Sequence, residues 1–385
     1  MENGEENAAR RALANAMKID VLGLRRRAFI AGGAAILFGM AAAPARALTG
    51  IAALDTPSIL LKDPASALLV AITATPGKRL VSAGEHGIII LSDDDGTTWK
   101  QASVPVDVTL TCVAFATDLI GWAAGHFGVI LNTRDGGESW QVQLNGIQAN
   151  QLTLQAAQDP SLAASPSPGA PLAARRAQHF MEAGPDNPFL TLLVLGPAKV
   201  VALGAYRMAM LTQNGGGTWV DWSLHIYDKY SHNIYDAAAI GGIDYLVLEE
   251  GLVFASTDGA KTFLPLASPG QSTLFGILGA RDGALIVFGV AGFVARSTDG
   301  GKSWAVIEIA SQQDLPGGRV LDDGSVVLVD EAGQVFASRD NGASYARVPG
   351  IQPAPFFDLQ QAPDGNLIAV GATGVTPIAK SLLTS

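Results

Sequence analysis

Seven short glycine-rich stretches hold most of the side chains in this chain that could do chemistry. They place Glu85 beside His86, His126 beside Phe127, Tyr206 beside Arg207, and Glu249 beside Glu250, with Glu331 in a sixth stretch. The segment from His225 to Tyr235 adds His225, Tyr227, His232 and Tyr235. Neutral imidazole is a common transition-metal ligand. The histidines nevertheless show no His-x-His or His-x-x-x-His spacing, so no metal site is expected. A two-carboxylate glycosidase needs an acid and a base or nucleophile held a fixed distance apart. Glu85, Glu249, Glu250 and Glu331 could supply such a pair, but nothing in the sequence selects one. A sialidase also needs several arginines over its substrate carboxylate, and Arg207 is the one obvious arginine here. The expectation is therefore a polar, aromatic contact surface, with no catalytic residue and no cofactor.

The elements that must position these residues announce themselves by repetition. Six copies of a Ser/Thr-x-Asp-x-Gly-x-Ser/Thr-aromatic phrase end at Trp99, Trp140, Trp219, Phe263, Trp304 and Tyr345. Asn214 replaces Asp in the third copy and Ala260 replaces Gly in the fourth. A period near forty residues with turn chemistry at a fixed offset indicates stacked β units. Short Ser and Asp side chains bond backbone N–H groups in such bends, and glycine accepts the positive φ they need. These phrases read as fold punctuation and resemble the Asp-box, or BNR, repeat.

A glycine-rich turn opens the strand ahead of each phrase, and a seventh stands at Gly371-Ala372-Thr373-Gly374. After it the chain has room for three strands of a unit but not four. The missing strand is expected from Pro57 to Lys62, because an unclosed ring leaves an unpaired edge. The fold predicted is all-β: a seven-bladed β-propeller of four-stranded antiparallel blades, closed by an N-terminal strand, over residues 48–385. The Asp-box turns then lie on one face. The glycine-rich turns and the links between blades lie on the other, near the channel mouth.

One interval breaks the period. Trp140 and Trp219 are separated by nearly two repeats, which marks residues 147–187 as a helical insertion between blades 2 and 3. Its helical stretches are 151–158 and 171–182, joined by a Pro/Ser/Ala-rich piece expected to be mobile. Arg175 and Arg176 on this arm join the expected partner-contacting residues.

Charge and cysteine content narrow the function. The first 47 residues carry seven Lys/Arg and four Asp/Glu, which leaves 18 basic and 31 acidic residues in the remainder. A body this acidic repels nucleic acid and anionic lipid. The single cysteine, Cys112, excludes an intrachain disulfide and is expected to fill the core. At the N-terminus, Arg26-Arg27-Ala28-Phe29-Ile30, an uncharged stretch from Ala31 to Ala43, and Ala45-Arg46-Ala47 resemble a twin-arginine export signal. The uncharged stretch is short for a membrane span. Residues 1–47 are thus expected to direct export to the periplasm, followed by cleavage or by anchoring on the outer face of the cytoplasmic membrane.

The pairing of Gly-x-x-Gly with Ser-x-Asp-Gly-Gly-x-Ser-Trp is clearest from Gly289 to Trp304. Behind an export signal it resembles the photosystem II stability/assembly factor propellers, and most of all their relatives in non-photosynthetic bacteria. The resemblance implies a monomeric, non-catalytic scaffold for a protein client in a membrane or envelope complex, touching membrane only through that client or an uncleaved signal. The photosynthetic members use an arginine-rich patch that has no counterpart in this acidic chain. The alternative is a carbohydrate-active propeller, sialidase-like or another glycoside hydrolase.

Overall fold

The computed structural model describes residues 49–383. The expected export segment, residues 1–47, lies outside the described residues. The described residues belong to one compact unit. Among the described residues there are seven antiparallel sheets, six of four strands and one of three, each built from strands consecutive in the chain. This all-β architecture is consistent with a seven-bladed β-propeller. The innermost strands are Leu69–Ala74, Leu110–Phe115, Phe189–Val194, Ile234–Ile240, Leu274–Gly279, Gly317–Val320 and Phe356–Gln361.

The second strand of each blade explains why the sheets stack. Leu80–Gly84, Val200–Gly204, Leu285–Gly289 and Leu367–Gly371 are buried along their whole length. Runs of Val, Leu, Ile and Ala suit strands covered on both faces. Their partners come from neighbouring blades. Val81, Ile89 and Leu91 pack with Ala123, Val129, Leu131 and Trp140. The first and last blades meet in the same way, through Leu69, Leu80 and Ile90 against Ile368 and Val370.

The Asp-box turns consume their own polar groups. In the fifth copy Ser297 Oγ donates to Asp299 Oδ1 at 2.8 Å and accepts from Gly301 N–H at 2.8 Å. Asp299 in turn accepts from Ser303 N–H at 2.9 Å and Ser303 Oγ at 2.6 Å. The same bonds recur around Asp94, Asp135 and Asp340. Asn214 reproduces them with its amide, donating Nδ2–H to Thr218 Oγ1 at 3.0 Å. The closing aromatic folds back as expected: Trp140 is buried and donates Nε1–H to Gly137 O at 2.9 Å.

The expected closing strand is corrected. Residues 57–62 form no strand, and the seventh sheet has three strands. The first blade takes up this segment's backbone instead. Ser58 N–H donates to Val104 O at 3.0 Å, Leu61 N–H donates to Gln101 Oε1 at 3.0 Å, and Gln101 Nε2 donates to Ile59 O at 2.6 Å. The outermost strand of the last blade, Gly374–Ile378, includes Pro377, which has no N–H to offer a fourth strand.

Two helices lie between the second and third sheets, α1 at Gly146–Ala157 and α2 at Ala173–Ala183. Asn145 starts α1 with a reciprocal capping box to Gln148. Helix α2 buries Ala173, Arg176, Ala177 and Phe180, one face at helical spacing. Asn150 ties the two together, donating Nδ2–H to Phe180 O at 2.8 Å and Gly184 O at 2.9 Å. In the joining piece Ser167 and Gly169 are buried, while Ser161, Pro166 and Pro168 are exposed.

Ser297→Ala should leave the Gly301 N–H buried without an acceptor and cost roughly 1–3 kcal/mol in urea unfolding; an unchanged midpoint would contradict this reading of the turn. Hydrogen bonds, led by the Ser303 hydroxyl, hold the Asp299 carboxyl down at about 2. The Ser344 and Ser338 hydroxyls outweigh burial to hold Asp340 at about 2 as well. A carboxyl depressed on folding stabilises the fold above its unfolded pKa and loses that contribution as pH falls through the folded value. Acid titration of stability should therefore show a loss between about pH 4 and pH 2.

Candidate functional site

In six of the seven glycine-rich turns a backbone N–H bonds the carbonyl just ahead of the blade's own inner strand. Glu85 N–H bonds Leu68 O at 3.1 Å, His126 N–H bonds Thr109 O at 2.9 Å, Ala205 N–H bonds Pro188 O at 3.0 Å, and Val290 N–H bonds Thr273 O at 3.0 Å. The next residue is left-handed in five turns: His86, Phe127, Tyr206, Glu250 and Ala291 have φ between +52° and +58°. Equivalent side chains are thereby presented at equivalent positions on one face, here called the link face. The Asp-box turns pack instead with the first hairpin of each blade, as where Arg79 pairs with Asp93 at 2.6 Å and Glu138 at 2.9 Å.

The expected contact residues fall into three groups. On the open part of the link face, His86 is exposed with Nδ1 2.7 Å from Asp107 Oδ1. Glu85 beside it is half-buried, and desolvation pushes its carboxyl up. Glu250 is exposed and stands 3.5 Å from His232 Nε2, whose Nδ1 bonds Asp228 at 2.8 Å. Burial alone would lower the His232 imidazole, but the Asp228 bond and the surrounding carboxylates outweigh it and raise the pKa. Glu249 is buried and accepts Asn233 N–H at 2.7 Å; desolvation raises its carboxyl. Tyr235 stands at the channel mouth, edge-on to Phe275 at 5.2 Å, its phenol pushed up to about 12 by burial and by Glu249. The neighbouring Tyr230 is 68% exposed, a large ring that sequence reasoning passed over.

A second group lies under the helices. The Tyr206 ring sits 6.3 Å from both His179 and Phe180 of α2. A Cβ on Gly146 of α1 would come within 2.7 Å of Phe127 O, so the turn of His126 and Phe127 is also covered. Burial pushes the His126 imidazole down. Arg207 and Arg176 are corrected as contact residues, because both are buried. Arg176 pairs with Asp221 at 3.6 Å and donates to Arg207 O at 3.1 Å, anchoring α2 on the third blade. Arg175 alone of the arm's arginine pair is exposed.

The third group belongs to the other side. His225 stacks on Trp222 at 3.4 Å, and its Nδ1 is 2.7 Å from Lys261 O in the fourth Asp-box turn. Tyr227 N–H donates to Phe263 O at 3.0 Å, in the same turn. The link out of the third blade first runs along the neighbouring Asp-box, so His225 and Tyr227 do not join the other histidines. Among the described residues no group of three or more His, Cys, Asp or Glu side chains could hold a metal ion.

The axial channel holds what sequence reasoning missed. The inner strands enclose a cavity of about 370 Å³ lined by Asp236, Asp358 and Arg319, with Thr111, Thr191 and Cys112. Cys112 packs against the apolar core between the second and third blades and also borders the channel, and burial drives its thiol up to about 12. Each aspartate follows a bulged residue, Tyr235 or Phe357. Each also reaches across to the next blade: Asp236 Oδ2 accepts Ile277 N–H and Asp358 Oδ2 accepts Ile72 N–H, both at 3.0 Å. Arg319 donates to Leu359 O at 3.3 Å and Ile72 O at 3.4 Å. The signal was present as an apolar-aromatic-Asp triplet opening two inner strands, Ile234-Tyr235-Asp236 and Phe356-Phe357-Asp358.

Desolvation, partly offset by Arg319, raises the Asp358 carboxyl to about 6. A carboxyl raised on folding favours the fold below its unfolded pKa and loses that advantage as pH rises through the folded value. Stability should therefore fall between about pH 4 and pH 6, and Asp358→Asn should flatten that slope in denaturant titrations. An unchanged slope in the variant would contradict the assignment.

Comparison with known proteins bears on the fold and the repeat. Residues 91–158 match the family model described as photosynthesis system II assembly factor YCF48. No curated protein matches the chain. Among solved structures the chain is similar to YCF48 bound to D1 peptide, at 17% identity and TM-score 0.59 over 83% of this chain and 96% of that one. It is similar to YCF48 from Cyanidioschyzon merolae at 14% identity and TM-score 0.59, covering 84% and 98%. It is also similar to a streptogramin B lyase at 12% identity and TM-score 0.58, covering 82% and 94%. At such identities the likeness to solved structures speaks for the fold alone. The family match thus covers the repeat at residues 91–158, and the two YCF48 structures share the propeller fold.

Proposed function

We propose that this protein is a non-catalytic propeller scaffold that holds a protein client on its link face. The observation that carries this reading is a contrast between the two faces. The Asp-box turns spend their Ser, Thr and Asp side chains on their own backbone. The link face leaves His86, Tyr230 and Glu250 exposed around a channel mouth edged by Tyr235 and Phe275. Large amphipathic rings among solvated polar groups suit protein contact. A YCF48 structure bound to a peptide supports a protein client here as well. The acidic body favours a client segment that is neutral or basic.

The finer parts of the proposal follow from the chain itself. Residues 1–47 export the protein to the periplasm, where the client belongs to a membrane or envelope complex, and the scaffold acts as a monomer. Residues 147–187 are an inserted helical arm that narrows the contact surface by covering the second and third blades. The first and last blades close the ring through packing and the contacts at Ile72. A fold shared with a lyase carries no chemistry by itself, and the candidate carboxylates are spread over three blades: Glu85 in the first, Glu249 and Glu250 in the fourth, and Glu331 in the sixth.

A photo-crosslinking side chain at position 230 should capture one defined membrane-complex subunit, and the same group at position 302, in an Asp-box turn, should not. Equal capture from both positions, or capture from 302 alone, would defeat the face assignment. A glycoside panel should give no turnover; turnover abolished by Glu249→Gln or Glu250→Gln would replace the scaffold with a hydrolase.

A further inference from the structure

Arg207 departs from its sister turns in a way that the scaffold role does not require. In the first, second, fourth and fifth blades the corresponding residue is Gly87, Gly128, Gly251 or Gly292, each with positive φ. Arg207 adopts the same left-handed backbone, at φ +57°, where an L side chain is disfavoured. In three of the glycine turns a Cβ would come within 2.0–2.2 Å of a link carbonyl. The longer link after the third blade leaves room for the arginine, and the Arg207 N–H bonds His232 O at 2.9 Å.

The guanidinium is wholly buried yet poorly partnered. Arg207 Nη1 donates to the carbonyl oxygen of Asp228. Its Nε and Nη2 have no hydrogen-bond partner among the described residues. No carboxylate bonds it: the Asp228 oxygens are taken by Tyr230 N–H and by the N–H and Nδ1 of His232. Asp221 is taken by Thr153, Ser223 and Arg176. Arg176, which donates Nη1–H to Arg207 O, has a buried Nε that is likewise without a partner among the described residues. The joining piece of the arm crosses directly above, where a Cβ on Gly169 would stand 2.1 Å from Arg207 Nη1. A buried charge with open donors costs several kcal/mol unless an acceptor of opposite charge meets it.

We propose that Arg207, with Arg176, forms an enclosed site for a small monovalent anion of the size of chloride, sealed beneath the arm. The bound anion accepts from the open N–H groups of the two guanidinium groups, and it joins the arm to the third blade. Because these donors are buried, the anion is part of the folded structure and not a surface counterion. Burial and the neighbouring Arg176 lower the Arg207 guanidinium to about 10, so Arg207 remains charged at neutral pH.

Chloride and bromide are the probes. At constant ionic strength, exchanging glutamate for chloride should raise the thermal midpoint of the whole protein. Above the dissociation constant, each tenfold increase in chloride should raise the folding constant up to tenfold. Arg207→Gly, which restores the residue of four sister turns, should fold and lose this dependence. Bromide introduced into crystals of the unaltered protein should give an anomalous peak within hydrogen-bond distance of Arg207. A midpoint indifferent to chloride, a variant with the full dependence, or an ordered water in place of bromide would each overturn the site. The bromide experiment needs no variant, so it decides the matter even if Arg207→Gly fails to fold.

Discussion

Neighbouring blades share no hydrogen-bonded ladder, and the whole ring depends on how that gap is bridged. Each sheet satisfies its backbone internally and ends in an outer strand of two to five residues. Between sheets the contact is apolar burial, which is strong but non-directional. Direction comes from side chains on the channel wall and from isolated backbone bridges between neighbours, such as Ser103 with Ser139 and Ile226 with Phe263. Asp236 and Asp358 accept backbone N–H groups of the following blade, and Thr111 donates to Phe189 O at 2.6 Å between the second and third blades. Such bonds fix the rotation of each sheet about the axis, which burial alone would leave loose.

That division of labour explains which parts of the molecule are free for function. The Asp-box turns, though rich in Asp and Ser, are saturated, and their polarity is structural. The glycine-rich turns are fixed through their backbone, so the side chains they present can differ from blade to blade. They do vary, through Glu85-His86, His126-Phe127, Tyr206-Arg207 and Glu249-Glu250. The arm makes use of this freedom, laying α1 and α2 over two adjacent turns and using Arg176 and Asp221 to hold its place. The exposed part of the link face is what the arm leaves uncovered.

Much of this was legible in the sequence because it rests on local chemistry. The repeated phrase identified every Asp-box turn, and glycine spacing located the link-face turns. The break in period located the helices, though Asn145 starts α1 six residues before the first helical stretch read from pattern. The failures were all tertiary. Residues 57–62 have the composition of a strand, but their backbone is claimed by Gln101 and Val104. His225 lies close in sequence to His232, yet its ring is captured by Trp222 on the Asp-box side. Arg176 and Arg207 look like surface charges until the arm folds over them. Asp236 and Asp358 went unremarked because a lone acid in an apolar strand declares its role only when the next blade is in place.

The account turns on one joint, where the last blade meets the first without a shared strand. There Ile72 N–H is held by Asp358 as Ile277 N–H is held by Asp236 at a joint where the chain is continuous. Native-state amide hydrogen exchange on the intact protein compares the two bonds directly. Comparable protection at Ile72 and Ile277 is the predicted result. Exchange at Ile72 near the rate of an unstructured peptide, with Ile277 protected, would mean that the ring is open between its first and seventh blades.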